Sequence, residues 1–156
     1  SDMGLKGLLV GRKGCDVPKN CDTTGWVEYN KMLKLYQEAK FVFIPNEADA
    51  SPRVLTECLS LNIPCLINKN IIGGWKYINN KTGQFFTDEN DVKENANLIM
   101  NNISNYSPRQ YIINNYGPIN SGKKLKTFLF NNFRNKLNVK EHNVKYVTIR
   151  KPLENF

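Results

Sequence analysis

The stretch FVFIPNEADASPRVLTE at residues 41–57 decides the fold class. It opens with four consecutive apolar residues, 41–44, which predict a central strand that is buried on both faces. Ser51 and Pro52 are residue types that favour a helix N-cap and the first helical position. An apolar stripe then continues to Leu59 at helical spacing. The stretch therefore predicts a strand, a polar loop and a helix in succession.

Similar patterns lie on both sides of this stretch. Residues 5–10 and 63–67 predict strands, and residues 28–40 predict a helix. Strands that alternate with helices in this way indicate an α/β fold, a doubly wound parallel sheet with flanking helices. Its ligand site is expected at the carboxyl ends of the strands. Those ends fall in three loops that are rich in polar residues and glycine, residues 11–14, 46–51 and 68–74.

Weaker signals mark the remaining elements. Residues 15–24 predict a loop, and a brief strand is predicted at residues 25–27. Asn62 is the residue type for a left-handed helix cap. Ser121 is predicted to start a late helix. Its buried face would comprise Leu125, Phe128, Leu129 and Phe133.

Composition predicts one domain with a tail. Of the 156 residues, 40% are hydrophobic, which is enough for a core over residues 4–135. Residues 136–156 read as a basic C-terminal tail. Residues 105–156 hold 10 Lys and Arg against 2 Asp and Glu, which accounts for the net charge of +8. This excess indicates either a solvated helix face or an anionic partner such as nucleic acid, and we favour the solvated face.

Cysteine usage predicts a reducing, cytoplasmic location. Cys58 and Cys65 lie in apolar segments, where a free thiol acts as a small hydrophobe. Cys15 and Cys21 lie in a polar segment, where a bridge or a metal site is the alternative.

No apolar run approaches the roughly 18 residues of a membrane span. The 23 asparagines fit an AT-rich genome such as that of a large DNA virus, which would place the protein in host cytoplasm.

Two acids flank the predicted helix start. Asp49 precedes the helix and Glu57 follows eight residues later, within it. A helix N-terminus offers free N–H groups and a partial positive charge, which suit a phosphate. The acids could then accept hydrogen bonds from hydroxyls on either side of that phosphate. The alternative is that Asp49 caps a turn and Glu57 is a surface acid.

This spacing resembles the E-x7-E signature of retaining GT-B glycosyltransferases, the group 1 and glycogen-synthase-like families. The resemblance covers residues 5–130 and implies the Rossmann-like, C-terminal half that binds the nucleotide-sugar donor. It implies that Asp49 holds the donor sugar and Glu57 the ribose. The amides of Ser51, Arg53 and Val54 would meet the sugar or the phosphate.

Other segments resemble the same family. Gly25-Trp26-Val27 is similar to its base-pocket segment, which implies that Trp26 contacts the base. Gly73 and Gly74 match its glycine pair, and we expect them to let the backbone approach a ligand. The resemblance also implies a diphosphate clamp made by Arg12 and by either Lys13 or Lys19. It places Gly11 among the residues that bind the donor. The sequence departs from the family in having Asp at position 49 and Arg at position 53.

The resemblance implies transfer of a sugar, with retention, from a UDP- or GDP-sugar to a carbohydrate or glycoprotein acceptor. No metal or other cofactor is implied, because positive groups would stabilise the departing diphosphate. Nothing in the sequence resembles the acceptor half, so we expect either an N-terminal GT-B half on a longer chain or a compact stand-alone module. Two alternatives remain: a non-catalytic module that binds nucleotide sugars, and a basic domain that binds nucleic acid.

Overall fold

The structure, a computed structural model, describes residues 4–11 and 16–137. A 3-10 helix at Trp75–Tyr77 lies in the segment predicted as a loop. The strands and α-helices of the described residues follow in this order: β1 Gly7–Val10, β2 Cys21–Gly25, α1 Tyr29–Glu38, β3 Val42–Ile44, α2 Arg53–Ser60, β4 Cys65–Asn68, β5 Gly83–Phe86, α3 Glu89–Asn101, α4 Pro108–Asn115 and α5 Gly117–Leu137.

Strand β4 is the centre of the structure. It pairs in parallel with β3 on one side and with β5 on the other, and all four of its residues are buried. Successive side chains of a strand point to opposite faces. Cys65 lies against Cys58 of α2, whereas Leu66 clusters with Ala96 and Ile99 of α3. Helices therefore cover both faces of β4, and the predicted α/β fold is confirmed.

Strands β1 and β2 form a second, parallel ladder. The prediction placed this second strand at residues 25–27, but β2 occupies Cys21–Gly25 in the segment predicted as a loop. Residues 22–24 are exposed and polar, so they lack the apolar pattern that marks a strand. These residues form a strand because their backbone pairs with β1, and their side-chain pattern gives no sign of that pairing.

Strand β3 lies at an edge of its three-stranded sheet, and the prediction of a central strand was wrong. Phe43 is 47% exposed, although its ring lies 5.0 Å from that of Phe86. An apolar run indicates that a strand can be buried on both faces, but the order of the strands depends on pairing partners far away in the chain.

The bounds of α2 differ from the prediction at one end only. The helix begins at Arg53 with Pro52 as its N-cap, so Ser51 is not the N-cap. At the other end Asn62 adopts φ 67°, as predicted for a left-handed cap. Ile63 N donates to Cys58 O at 2.9 Å, which closes the helix as in a Schellman motif.

The chain divides into two compact units at the bond between Arg109 and Gln110. In the second unit α5 starts at Gly117 rather than at the predicted Ser121. Leu125 and Phe128 are 57% and 56% exposed, so the predicted burial of these two side chains was wrong.

Most of the predicted basic tail, from residue 138 onward, lies outside the described residues. No helix in the described part of the chain combines the length and apolar character needed to cross a bilayer.

We expect Leu66→Ala to lower the free energy of unfolding by about 2–5 kcal/mol, because it leaves a cavity between β4 and α3. Leu66 is 1% exposed, whereas Leu98 of α3 is 43% exposed. The control Leu98→Ala should therefore cost less than about 1 kcal/mol. Urea unfolding of the whole chain measures both values, and equal losses would show that β4 is not the centre of the core.

Candidate functional site

Two loops meet at the carboxyl ends of β3 and β4. We call residues 45–52 the acidic loop and residues 69–74 the glycine loop. Gly73 N donates to Asp49 O at 2.9 Å, and Ile72 N donates to Glu47 O at 3.0 Å. A Cβ on Gly73 would overlap the carbonyl group of Ala50. The glycine loop can therefore approach the acidic loop only because residue 73 has no side chain.

Gly74 has a second constraint. Its φ is +83°, a left-handed conformation that favours glycine, and a Cβ there would lie 2.6 Å from Pro52 Cγ and 2.7 Å from Leu55 Cδ2. From the sequence we expect the glycine pair to let the backbone come close to a ligand. In the structure the two glycines instead let the backbone come close to the acidic loop and to the start of α2.

Asn68, at the end of β4, reinforces the same contact. It is only 6% exposed. Its Nδ2 donates to Glu47 Oε1 at 3.2 Å and to Pro45 O at 3.4 Å, and its Oδ1 accepts from Asn70 N at 2.8 Å. A buried amide with satisfied polar atoms fixes the loops that it joins. Asn68 was read from the sequence only as a loop residue, and its pattern carries no signal for this role.

Asp49 performs a structural task inside the acidic loop. Its Oδ1 accepts from Ser51 N at 3.0 Å, which forms a tight turn before α2. The Ser51 amide, predicted to meet the ligand, is thus engaged by Asp49 in this structure. Asp49 Oδ2 makes no hydrogen bond to the described residues, so it can accept one from a ligand hydroxyl.

The N-terminus of α2 is open. Among residues 4–11 and 16–137 no side chain caps it. Thr56 N donates to Pro52 O at 3.4 Å, so the three preceding helical amides, those of residues 53–55, lack a carbonyl within the helix. These donors and the helix dipole give this end of α2 a partial positive charge.

A cleft of about 300 Å³ lies beside this helix end. One wall consists of residues 50–52 and Thr56, and the other of residues 73–77. Trp75 is 58% exposed, and Lys76 Nζ lies 5.1 Å from the centre of the Tyr77 ring. Another cavity, of about 420 Å³, is lined by residues of α3 alone, so it brings no loops together.

On the adjacent face of α2, Glu57 meets Tyr29, the first residue of α1. Partial burial, the Glu57 charge and a hydrogen-bonding interaction with its carboxylate raise the pKa of the Tyr29 phenol, while the nearby Arg53 opposes the rise. Seven residues later, burial and the proximity of Cys58 and Glu57 raise the pKa of Tyr36 to about 12. Tyr29 and Tyr36 thus place α1 along α2. Sequence reasoning missed Tyr29, although its spacing from Tyr36 puts both on one helix face.

The remaining predicted residues lie at the ends of β1 and β2. Gly11 N donates to Gly25 O at 2.7 Å, which joins the two strand ends. Trp26 follows and is 80% exposed, so its ring is accessible to a ligand. Arg12 and Lys13 lie outside the described residues, and their predicted clamp role stays a prediction.

The sequence model of the family described as glycosyl transferases group 1 matches residues 12–116, more than half of the chain. The chain belongs to this family. A search among curated proteins finds no match. The matched range contains the acidic loop, α2 and the glycine loop. The resemblance predicted over residues 5–130 is therefore confirmed at the level of group 1 glycosyltransferases, and glycosyl transfer is the class of reaction.

In this glycosyltransferase domain the polar groups around the open helix end are backbone amides, carboxylates, hydroxyls, the Arg53 guanidinium and the Lys76 ammonium. Within the residues that the structure describes, no three His, Cys, Asp or Glu side chains converge as metal ligands. Free cysteines occur at Cys21, Cys58 and Cys65, and the last two are buried as predicted. The site can thus bind an anion and several hydroxyls at once.

We expect Gly73→Ala to cost about 1–3 kcal/mol of unfolding free energy, because the new methyl group must push the Ala50 carbonyl away. Ile72, its neighbour in the glycine loop, is 66% exposed. The control Ile72→Ala should change the stability by less than about 0.5 kcal/mol. Thermal unfolding followed by circular dichroism compares the two, and an unaffected Gly73 variant would contradict the contact between the loops.

Proposed function

We propose that this group 1 glycosyltransferase domain binds a nucleoside-diphosphate sugar and supports transfer of its sugar with retention. The supporting observation is the uncapped N-terminus of α2, with Asp49 before it and Glu57 in its second turn. An anion at this end gains up to three backbone N–H donors and the favourable end of the helix dipole. A diphosphate is the anion of such a donor.

In this proposal the nucleoside end of the donor lies on one side of α2 and the sugar end lies on the other. Glu57 would accept hydrogen bonds from the ribose hydroxyls, on the side where Tyr29 lies. The exposed ring of Trp26 would stack on the base. Asp49 Oδ2 and the cleft would hold the sugar on the other side. The amides of Arg53 and Val54 lie between these two regions, where the diphosphate would rest.

Transfer places new negative charge on the diphosphate as its bond to the sugar breaks. Donors that already point at that position stabilise the charge without reorganisation. We propose that the acceptor, a carbohydrate or glycoprotein, attacks from the same face and is held by an N-terminal GT-B half on a longer chain. Metal independence, the cytoplasmic location and the viral origin stay predictions.

A binding module without transfer would use the same contacts. The two functions differ in turnover, so an assay of transfer and of donor hydrolysis, run beside binding, separates them. Nucleic-acid binding through the basic residues from Lys123 onward stays a prediction. Steep salt dependence of oligonucleotide binding would support it.

Calorimetric titration of the whole chain with UDP- and GDP-sugars tests donor binding. We expect at least one series to bind and Glu57→Gln to weaken it about tenfold or more, because a hydrogen-bonded charge is lost. Discrimination between the ribose nucleotide and its 2′-deoxy form should also fall. Glu38, exposed at the other end of α1, supplies the control Glu38→Gln, for which no change is expected. Silence from all donors at millimolar concentration would refute the proposed function.

Tyr29→Phe tests whether the phenol positions Glu57. The variant keeps the ring and removes the hydroxyl that interacts with the Glu57 carboxylate, so we expect about a 2- to 10-fold loss of nucleotide affinity. This loss should disappear in the Glu57→Gln background if the phenol acts through that carboxylate. Tyr111→Phe, in the second unit, is the matched control. Additive losses in the double variant would show that Tyr29 acts on its own.

A further inference from the structure

The cleft beside α2 has a chemical character that the acid pair does not explain. Of the described residues that line it, Lys76 alone carries a full charge at neutral pH. The other lining residues carry hydroxyls or aromatic rings, or are glycine, alanine or proline. A cleft with one ammonium and no carboxylate in its walls favours an anionic group in its ligand.

The segment that carries Lys76 is rigidly held. Thr82 is 0% exposed, and its hydroxyl donates to Tyr77 O at 2.6 Å while accepting from Asn79 N at 2.8 Å. The 3-10 turn at Trp75–Tyr77 is therefore fixed from below by a buried, satisfied group. The Tyr77 ring, 5.1 Å from Lys76 Nζ, adds a favourable cation–π contact. The ammonium thus lies beside the cleft, over the Tyr77 ring.

The size of the cleft limits what it can hold. Small-molecule sites measure roughly 300–1,000 Å³, and this cleft has about 300 Å³. A nucleoside-diphosphate sugar contains a base, a ribose, two phosphates and a sugar, so only one end of it fits. Thr56 lines the cleft, whereas Glu57 does not. Consecutive helical residues point about 100° apart, so Glu57 and the ribose lie on the adjacent face. The sugar end is left for the cleft.

We propose that Lys76 pairs with an anionic group at the sugar end of the donor, with the exposed Trp75 ring covering the sugar. The anionic group is either the phosphate linked to the sugar or a carboxylate on the sugar itself. This inference rests on the proposed donor binding.

Three ligands show whether Lys76 binds the phosphate or a carboxylate on the sugar: UDP, UDP-glucose and UDP-glucuronate. GDP, GDP-mannose and GDP-mannuronate form the parallel series. We expect Lys76→Gln to weaken binding about 10- to 100-fold, the loss of a charge-assisted hydrogen bond. An equal loss for the neutral and acidic sugars assigns Lys76 to the phosphate. A loss confined to the acidic sugar assigns it to the carboxylate.

Lys69→Gln is the matched control, because Lys69 belongs to the glycine loop and does not line the cleft. It should change affinity less than about twofold, since only long-range, screened attraction is lost. Trp75→Leu should weaken the nucleotide sugars and leave the free diphosphates unchanged.

Equal effects of the Lys76 and Lys69 variants would overturn the assignment of Lys76. If nucleotides bind and Glu57→Gln weakens them while Lys76→Gln does not, the inference fails and the proposed function stands. If the unaltered chain binds no nucleotide, both fail.

Discussion

The backbone contact between the acidic loop and the glycine loop is the constraint on which the candidate site depends. Gly73 N and Ile72 N donate to carbonyls of the acidic loop, and the missing side chain of Gly73 lets the two backbones come together. The acidic loop leads directly into α2, whose first amides have no carbonyl partner within the helix. The two loops also line opposite walls of the cleft. A larger residue at position 73 would move all of these features at once, since they share one contact.

Burial of β4 on both faces supplies the rigid base for that contact. Cys65 packs toward α2 and Leu66 toward α3, so the strand end at Asn68 is held from two sides. Asn68 then transmits this position to the acidic loop through its side-chain amide. The buried strand and the loop contact thus fix the site together. Two cationic side chains also lie in this region, since Arg53 begins α2 and Lys76 lines the cleft.

Part of the site could be predicted because its residues are close in the chain. Asp49, Ser51 and the start of α2 lie within a few residues of one another, and the glycine pair follows the next strand. Parallel strands bring such loops to one edge, so their proximity follows from the strand–helix order alone. Tyr29 and Asn68 could not be predicted in the same way. Their partners lie 28 and 21 residues away, and neither residue type signals a contact at that distance.

The sequence by itself determined the α/β class, the family and the position of the acid pair. These follow from local patterns, since apolar periodicity, cap residues and motif spacing act over a few residues. The tertiary structure alone decided that β3 is an edge strand and that residues 21–25 form β2. It also decided that Lys76 lines the cleft. Each of these depends on a partner supplied by another segment of the chain, and pairing between distant segments is settled only when the chain packs.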